Sequence, residues 1–462
     1  MATAPSALWS SRLAFVLAAT GSAVGLGNIW KFPYVAGESG GGAFVLVYLF
    51  CVAVIGLPLM MAEILMGRRG RQNPADSFRD LARESGAGGA WWLVGAIGIL
   101  TGILILSFYS VIAGWAIAYV PQALTGDFTG LSAAQVGDIF TALVADPSRL
   151  AFWHSLFLLI TIGIVAGGVE AGLEKAVKYL MPALFGILLI LFGYSAASGY
   201  MGDAMAFMFT PDFSKLTPAT VLSAVGMAFF SLSLGMGAIM MYGAYLPAGA
   251  SIPRLAFAVV LADTSVAILA GLAIFPIVFG NGLEAGGGPG LVFMTLPLAF
   301  GQMTGGAVLG TLFFTLLVVA ALTSAISLLE PCVSWLMRHS NMSRRLAAIT
   351  TGVVVWLLGF GTIFSFNIWA DFKPLLDKTL FDLLDGLTSN ILLPLGGLLL
   401  AVFVARFVPR KILGEELDWP DGFKFRLWHF LLRYVVRIGI ILVFLNATGL
   451  LPKALGLIGI HW

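Results

Sequence analysis

The sequence predicts an all-α membrane protein of about eleven transmembrane helices, an inverted five-plus-five repeat with broken helices 1 and 6 and one helix beyond it. Three features predict it. Apolar runs of about 20 residues, long enough to cross a hydrocarbon core, recur along the chain. Arginine and lysine gather in every second connection. Glycine interrupts the opening helix of each set at matching positions.

Of the 462 residues, 59% are hydrophobic and only 10% are charged, where a soluble domain carries roughly a quarter charged. The deficit runs the whole length of the chain. Two cysteines, Cys51 and Cys332, each sit in an apolar run, so no disulfide framework is expected. Met1–Ser11 is short and polar, and the run after it is too long for a signal-peptide core. No cleavable signal is predicted.

The spans fall near 12–37, 42–67, 90–121, 152–169, 176–197, 222–245, 254–280, 306–337, 345–366, 381–407 and 427–449. Residues 288–300 are too few and too rich in glycine and proline to span, and read as a re-entrant or capping hairpin outside the membrane. The expected organisation is an N-terminal segment 1–11, a first repeat 12–197, an inverted repeat 222–407, an eleventh helix 424–450 and a tail 451–462.

Orientation comes from the basic residues. Arg68, Arg69, Arg71, Arg79 and Arg83 follow the second span. Later alternate connections carry Lys175 and Lys178, then Arg254, then Arg338, Arg344 and Arg345, then Arg406, Arg410, Lys411, Lys424 and Arg426. The intervening ones hold Asp127, Asp138 and Asp146, Asp203 and Asp212, and Glu284. The N-terminus is therefore expected in the cytoplasm and, after eleven spans, the C-terminus outside or in the periplasm of a multi-pass cell-membrane protein.

Five is odd, so the second set of five enters the membrane from the opposite side. TGSAVGLGN (20–28) and SLSLGMG (231–237) interrupt the first helix of each set. Such glycines can also be small-residue packing faces, but their matched placement in inverted halves points to a transport site. A helix broken at mid-membrane exposes backbone groups that lipid cannot satisfy, so the break lines a polar cavity. Half-helix N-termini suit a carboxylate; freed carbonyls and hydroxyls suit a hard cation. Asn28, Ser231, Ser233, Thr323 and Ser324 supply oxygen near the breaks, with no His or Cys to favour a transition metal. A zwitterionic amino acid accompanied by sodium ions is the occupant this composition fits.

GSAVGLGNIWKFPY (21–34), GLPLMMAEILMGR (56–68), FFSLSLGMGAIMMY (229–242) and ALTSAISLLEP (321–331) resemble the signature stretches of the neurotransmitter:sodium symporters, over about Trp9 to Asp385. The resemblance implies two sodium sites. One comprises the Ala23 carbonyl, Asn28, Ser231, Asp263 and the substrate carboxylate. The other comprises the carbonyls of Gly21, Val24 and Ala320 with the hydroxyls of Thr323 and Ser324. It implies a substrate pocket of Ala23, Leu26, Gly27, Ile105, Tyr109, Phe230, Ser231, Ser233, Met236, Ser324 and Leu328. In that pocket Tyr109 donates to the carboxylate and Phe230 closes over the substrate. Lys31 and Asp385 match an outer-gate pair, and Trp9 an inner-gate residue. The inner-gate arginine and aspartate of many relatives align with Ser6 and Arg338, so the cytoplasmic closure departs from the family's. The twelfth span of many relatives is missing, so no dimer contact is implied and oligomeric state stays open.

Two acids fall inside spans, where a charge costs at least about 2.5 kcal/mol at the bilayer centre. Glu63 is read as structural, accepting hydrogen bonds from unwound backbone. Asp263 stands where many relatives have asparagine. Where chloride-dependent relatives line an anion pocket with glutamine and serine, this chain has Met227 and Ala267. The expectation is therefore sodium without chloride, with Asp263 supplying the negative charge and returning protonated in the empty carrier. Gly172 and Pro182 flank LEKAVKYLM at the start of the fifth span, where both weaken the helix, and read as a hinge.

The walls Ile105, Met236 and Leu328 are apolar, so the expected cargo is a hydrophobic L-amino acid, aliphatic or aromatic. The alternatives are a proton-coupled amino-acid transporter of the same fold, or a sodium symporter for another small amine or amino acid. No HExxH and no Gly-Lys pair for a P-loop occur, and the arginines belong to topology. Neither an enzyme nor a nucleic-acid binder is expected; the partners are substrate, sodium ions and membrane lipid.

Overall fold

The computed structural model describes residues 8–283 and 291–451. Ser6, Glu284, the 288–290 part of the segment read as a hairpin and the tail 452–462 lie outside the described residues. Among the described residues every regular element is helical.

Among the described residues nine helices are long and apolar enough to cross a membrane: Gly42–Gly70, Gly89–Thr125, Pro147–Ala166, Val169–Ala196, Ile252–Gly280, Gly306–Ser340, Arg344–Ser365, Leu380–Arg406 and Phe423–Ala447. A tenth is the pair Arg12–Ala23 and Gly27–Glu38, bent by 54°. Pro218–Ser231 and Ala238–Ala244 occupy the place of the remaining expected span, but neither reaches spanning length by itself. In chain order these are spans one to eleven, with span one the bent pair and span six the second pair.

The sequence marks the helix starts chemically. Ser11 Oγ accepts from the Ala14 N–H at 3.1 Å, and Asp146 Oδ1 accepts from Ser148 and Arg149 at 2.9 and 3.1 Å. Thr217 and Ser343 cap spans six and nine in the same way. Each side chain satisfies a backbone donor that the first helical turn leaves free. Pro147 and Pro218 add a preset φ in that first turn.

Spans three and eight pack along each other at the centre of the molecule. Span one packs against spans five, seven and eight, while spans ten and eleven pair at one side. Span eleven is the most lipid-exposed, its most apolar stretch being only 17% buried.

Three differences from the sequence reading have physical causes. The break in span one is confined to Val24–Leu26: Gly21 still closes the first helix and Asn28 lies in a widened turn, Gly27–Lys31. Residues 291–302 form helix, not hairpin: Leu291, Val292, Phe293, Leu296 and Phe300 bury an apolar face, and Pro297 sits in a first turn that needs no N–H from it. Short helices Pro74–Glu84, Ala133–Ala145, Met201–Phe209 and Arg410–Leu417 fill connections in which no helix was expected. Their apolar stretches are too short to stand out beside the spans.

Candidate functional site

The two breaks face each other across the centre. In span six the helix ends at Ser231 and restarts at Ala238. Between them Ser233, Gly235 and Gly237 take φ of 53°, 88° and 78°, the left-handed region that ends an α-helix. Gly235 also needs its lack of a side chain, because a Cβ there would stand 3.1 Å from the Gly397 nitrogen in span ten. The freed groups find partners: the Gly235 N–H donates to Glu63 Oε1 at 2.6 Å, and Ser233 Oγ donates to the Ser22 carbonyl at 2.8 Å. Glu63 is therefore placed as a buried acceptor for unwound backbone, and its Oε2 has no protein partner.

One cluster of oxygens forms where span eight meets the end of the first half-helix. Ser324 Oγ lies 3.4, 3.2 and 3.4 Å from the carbonyls of Gly21, Ser22 and Val24. Thr323 Oγ1 is 3.0 Å from the Ala320 carbonyl, one turn earlier in the same helix. Gly21 permits the approach, since a Cβ there would sit 3.1 Å from Thr323 Cβ. Neutral oxygens turned inward at this density suit an alkali cation.

The second cluster is charged. Asp263 is wholly buried; its Oδ1 accepts from Asn28 Nδ2 at 2.8 Å, and its backbone carbonyl accepts from the same amide at 3.2 Å. Its Oδ2 has no hydrogen-bond partner. A buried carboxylate oxygen without a donor is costly, a cost that a cation beside it would relieve. Asn28 Oδ1 faces the Gly25 N–H at 3.4 Å. Ser231 Oγ lies 3.1 Å from the Tyr48 hydroxyl, which brings Tyr48 to the site. Nothing in its apolar run singled that tyrosine out.

Between the clusters the Leu26 N–H donates to the Tyr109 hydroxyl at 3.3 Å. A Cβ on Gly25 would come 2.6 Å from Ser324 Oγ and 3.1 Å from the Tyr109 hydroxyl; one on Gly27 would come 2.8 Å from the Phe230 ring. Ala23, Leu26, Ile105, Tyr109, Ser231, Ser233, Met236, Ser324 and Leu328 are all buried. Leu328 faces Gly102 of span three, its carbonyl 3.3 Å from where a Cβ would stand. Met227 and Ala267, at the positions compared with the anion pocket, are buried and apolar. Among the described residues no group of three His, Cys, Asp or Glu side chains is placed to hold a metal ion.

On the outer side Lys31 and Asp385 do not pair. Lys31 Nζ lies 4.1 Å from the centre of the Phe230 ring, while Asp385 Oδ1 accepts from Ser389 Oγ at 3.0 Å. Lys31 and Phe230 also line a cavity of about 300 Å³ shared with spans six, ten and eleven.

The side that the expected orientation makes cytoplasmic is closed around Trp9, which the sequence reading named, by Glu330, Tyr245 and Arg344, to which it gave no part in the closure. Glu330, fully buried, receives Arg344 at 3.0 and 2.5 Å and the Tyr245 hydroxyl at 2.6 Å. Arg344 Nε donates to the Val165 carbonyl at 2.8 Å. Trp9 donates from its backbone and its indole to the carbonyls of Tyr245 and Tyr242, each at 3.0 Å. The Ser10 N–H donates to Glu174 Oε2 at 2.9 Å, and Lys178 pairs with Glu174 at 2.7 Å. Arg338 turns away to Asp76 at 3.3 Å. A Glu–Arg pair 14 residues apart, one within span eight and the other at the start of span nine, has no sequence signature, which is why it was missed. Gly172 lies in a wide turn, Val169–Glu174, whose backbone stacks on Gly167, and Pro182 lies one to two turns into the helix that follows.

Comparison with known proteins places this geometry. A profile of the sodium:neurotransmitter symporter family matches residues 7–137 and 139–451, beyond the stretch in which the sequence reading saw the resemblance. An uncharacterised sodium-dependent transporter of Bacillus subtilis (strain 168), YhdH, is 39% identical over 96% of this chain and 98% of its own. An uncharacterised sodium-dependent transporter of Haemophilus influenzae is 34% identical over 95% and 97%. The crystal structure of MhsT in complex with L-phenylalanine superposes with a TM-score of 0.88 at 44% identity, covering 96% of this chain and all of that one. The chain belongs to the sodium:neurotransmitter symporter family, a family of sodium-coupled membrane transporters and not of enzymes.

Proposed function

We propose that the protein imports hydrophobic L-amino acids, aliphatic and aromatic, by symport with sodium and without chloride, through alternating access to the site between the breaks. One observation carries the reading most: Ser324 Oγ converges on the carbonyls of Gly21, Ser22 and Val24 beside a buried Asp263 whose Oδ2 has no donor. Cation-ready oxygens beside buried apolar side chains fit a zwitterion carried with sodium ions. The phenylalanine bound by MhsT supports an apolar side chain on the cargo.

In this reading Gly21, Val24, Ala320, Thr323 and Ser324 hold one sodium ion, and Ala23, Asn28, Ser231 and Asp263 hold a second. Tyr109 and the backbone at Leu26 and Gly27 orient the substrate carboxylate. Ile105, Met236 and Leu328 receive its side chain and Phe230 covers it. Asp263 supplies the charge that an anion supplies in chloride-dependent transport, and carries a proton back in the empty protein. Lys31 and Asp385 approach each other only in a more closed outer state, and the turn at Gly172 opens with release of Glu174. The two repeats are residues 12–197 and 222–407, with the N-terminus in the cytoplasm and the C-terminus outside.

The test is uptake of radiolabelled phenylalanine and leucine into proteoliposomes. Concentrative uptake with a sodium gradient, lost in choline and unchanged when gluconate replaces chloride, is expected. Uptake that persists in choline with a proton gradient would establish the proton-coupled alternative, and a strict chloride requirement would refute the role given to Asp263.

A further inference from the structure

We propose that Arg406, Arg433 and Arg437, where span ten ends and span eleven enters the membrane, bind the phosphodiester headgroup of an anionic membrane lipid. The positive-inside rule accounts for arginines at the end of a span. It does not account for Arg437, 14 residues into the continuous helix Phe423–Ala447, or about 21 Å along its axis. Arginine within a membrane-spanning helix is expensive and normally marks a site.

Its contacts leave it unsatisfied. Arg437 Nη2 donates to the Ala401 carbonyl of span ten at 3.3 Å, an oxygen inside the helix Leu393–Arg406. Its Nε is buried with no partner. A guanidinium has five donors in a fixed fork, so one long bond leaves most of them free. The titratable groups that act on it are Arg433 and Arg406, both of its own sign, and Tyr434, whose phenol is uncharged near neutral pH. His429 adds to the cluster, facing Arg410, Arg433 and Arg437. Among the described residues none of these five side chains takes part in an ion pair.

Arg433 and Arg437 stand one turn apart on the same helix face. The surface beside them is apolar and exposed: Tyr434, Ile438 and Leu442 face outward, and the Arg433 guanidinium lies 5.6 Å from the Tyr434 ring. A lipid phosphodiester answers every part of this. Its two non-bridging oxygens match guanidinium forks, its charge offsets the mutual repulsion, and its acyl chains lie against the exposed apolar face. A free phosphate would meet no acyl-binding surface and would have to leave water for the depth of Arg437. Basic pockets between helices near a membrane surface recognise anionic headgroups in this manner.

The test uses the full-length protein in detergent, with retention of dioleoyl phosphatidylglycerol and dioleoyl phosphatidylcholine compared by native mass spectrometry. Selective retention of phosphatidylglycerol is expected, weakened about fivefold by each of Arg406→Gln and Arg437→Gln and brought to the phosphatidylcholine level by the pair. Arg345→Gln, an exposed arginine in the first turn of span nine and away from the cluster, should behave as the parent. If Arg437→Gln does not purify as a monodisperse protein, the exposed Arg433→Gln with Arg406→Gln carries the same comparison. Equal retention of the two lipids by the parent, or selectivity unchanged in the double variants, overturns the proposal. Displacement of the lipid by millimolar glycerol 3-phosphate would identify a soluble-phosphate site and overturn it equally.

Discussion

Arg344→Ala should drive the protein toward its cytoplasm-open state. Glu330 is fully buried and receives Arg344 through two hydrogen bonds at 3.0 and 2.5 Å, with Tyr245 as its remaining partner at 2.6 Å. Removing one member of a buried pair costs roughly 3–5 kcal/mol, because the other charge is stranded. Opening that side lets water reach Glu330. If the opening recovers half of the cost, about 1.5–2.5 kcal/mol shifts the conformational equilibrium, a factor of about 10–70 in the open population. A cysteine at the buried Ala18 in span one, in a background with Cys51 and Cys332 replaced, reports opening through its labelling rate by a membrane-impermeant thiol reagent from the cytoplasmic side. Labelling should accelerate in Arg344→Ala by about that factor. It should fall back toward the parent rate in Glu330→Gln/Arg344→Gln, where no charge is stranded. An Ala18→Cys labelling rate unmoved by Arg344→Ala, or equally raised in the double variant, would refute the reasoning.

Gly25→Ala places a Cβ 2.6 Å from Ser324 Oγ and 3.1 Å from the Tyr109 hydroxyl, so sodium-driven uptake of phenylalanine should be lost while the protein still purifies folded. Asp263→Asn removes the one buried charge beside Asn28; the sodium concentration for half-maximal uptake should rise at least about tenfold, the equivalent of 1.4 kcal/mol, and an unchanged sodium curve would remove Asp263 from the site. Glu63→Ala leaves the Gly235 N–H without its 2.6 Å acceptor, a loss of about 1–3 kcal/mol that should appear as a lower Tm in detergent with and without sodium. Ser10→Ala removes one hydroxyl from Glu174 but keeps the backbone bond at 2.9 Å. It should accelerate labelling at Ala18→Cys less than Arg344→Ala does.

Much of this was legible in the chain because a bilayer restricts what a sequence can do. Apolar length alone located spans such as Gly42–Gly70 and Ile252–Gly280 to within a few residues, since backbone in lipid must bond to itself. The run Ser231–Gly237 had to break, because Gly235 and Gly237 free the backbone for φ values of 88° and 78°. Asn28, Thr323 and Ser324 stood out as polar side chains that an apolar span keeps only for a purpose.

Only the tertiary structure decided which of these groups meet. Ser324 finds the carbonyls of Gly21 and Val24 some 300 residues away, and the choice of carbonyls depends on how narrow the break at Val24–Leu26 is. Lys31 lies over Phe230 instead of pairing with Asp385, a choice of partner that side-chain type cannot specify. The closure at the Trp9 end through Glu330, Arg344 and Tyr245 joins three helices, and no spacing in the chain announces it. The sequence determines where the helices run and where they must break, because those follow from local periodicity and backbone bonding. Which side chain faces which is set by packing between helices distant in sequence, and that exists only once the fold has formed.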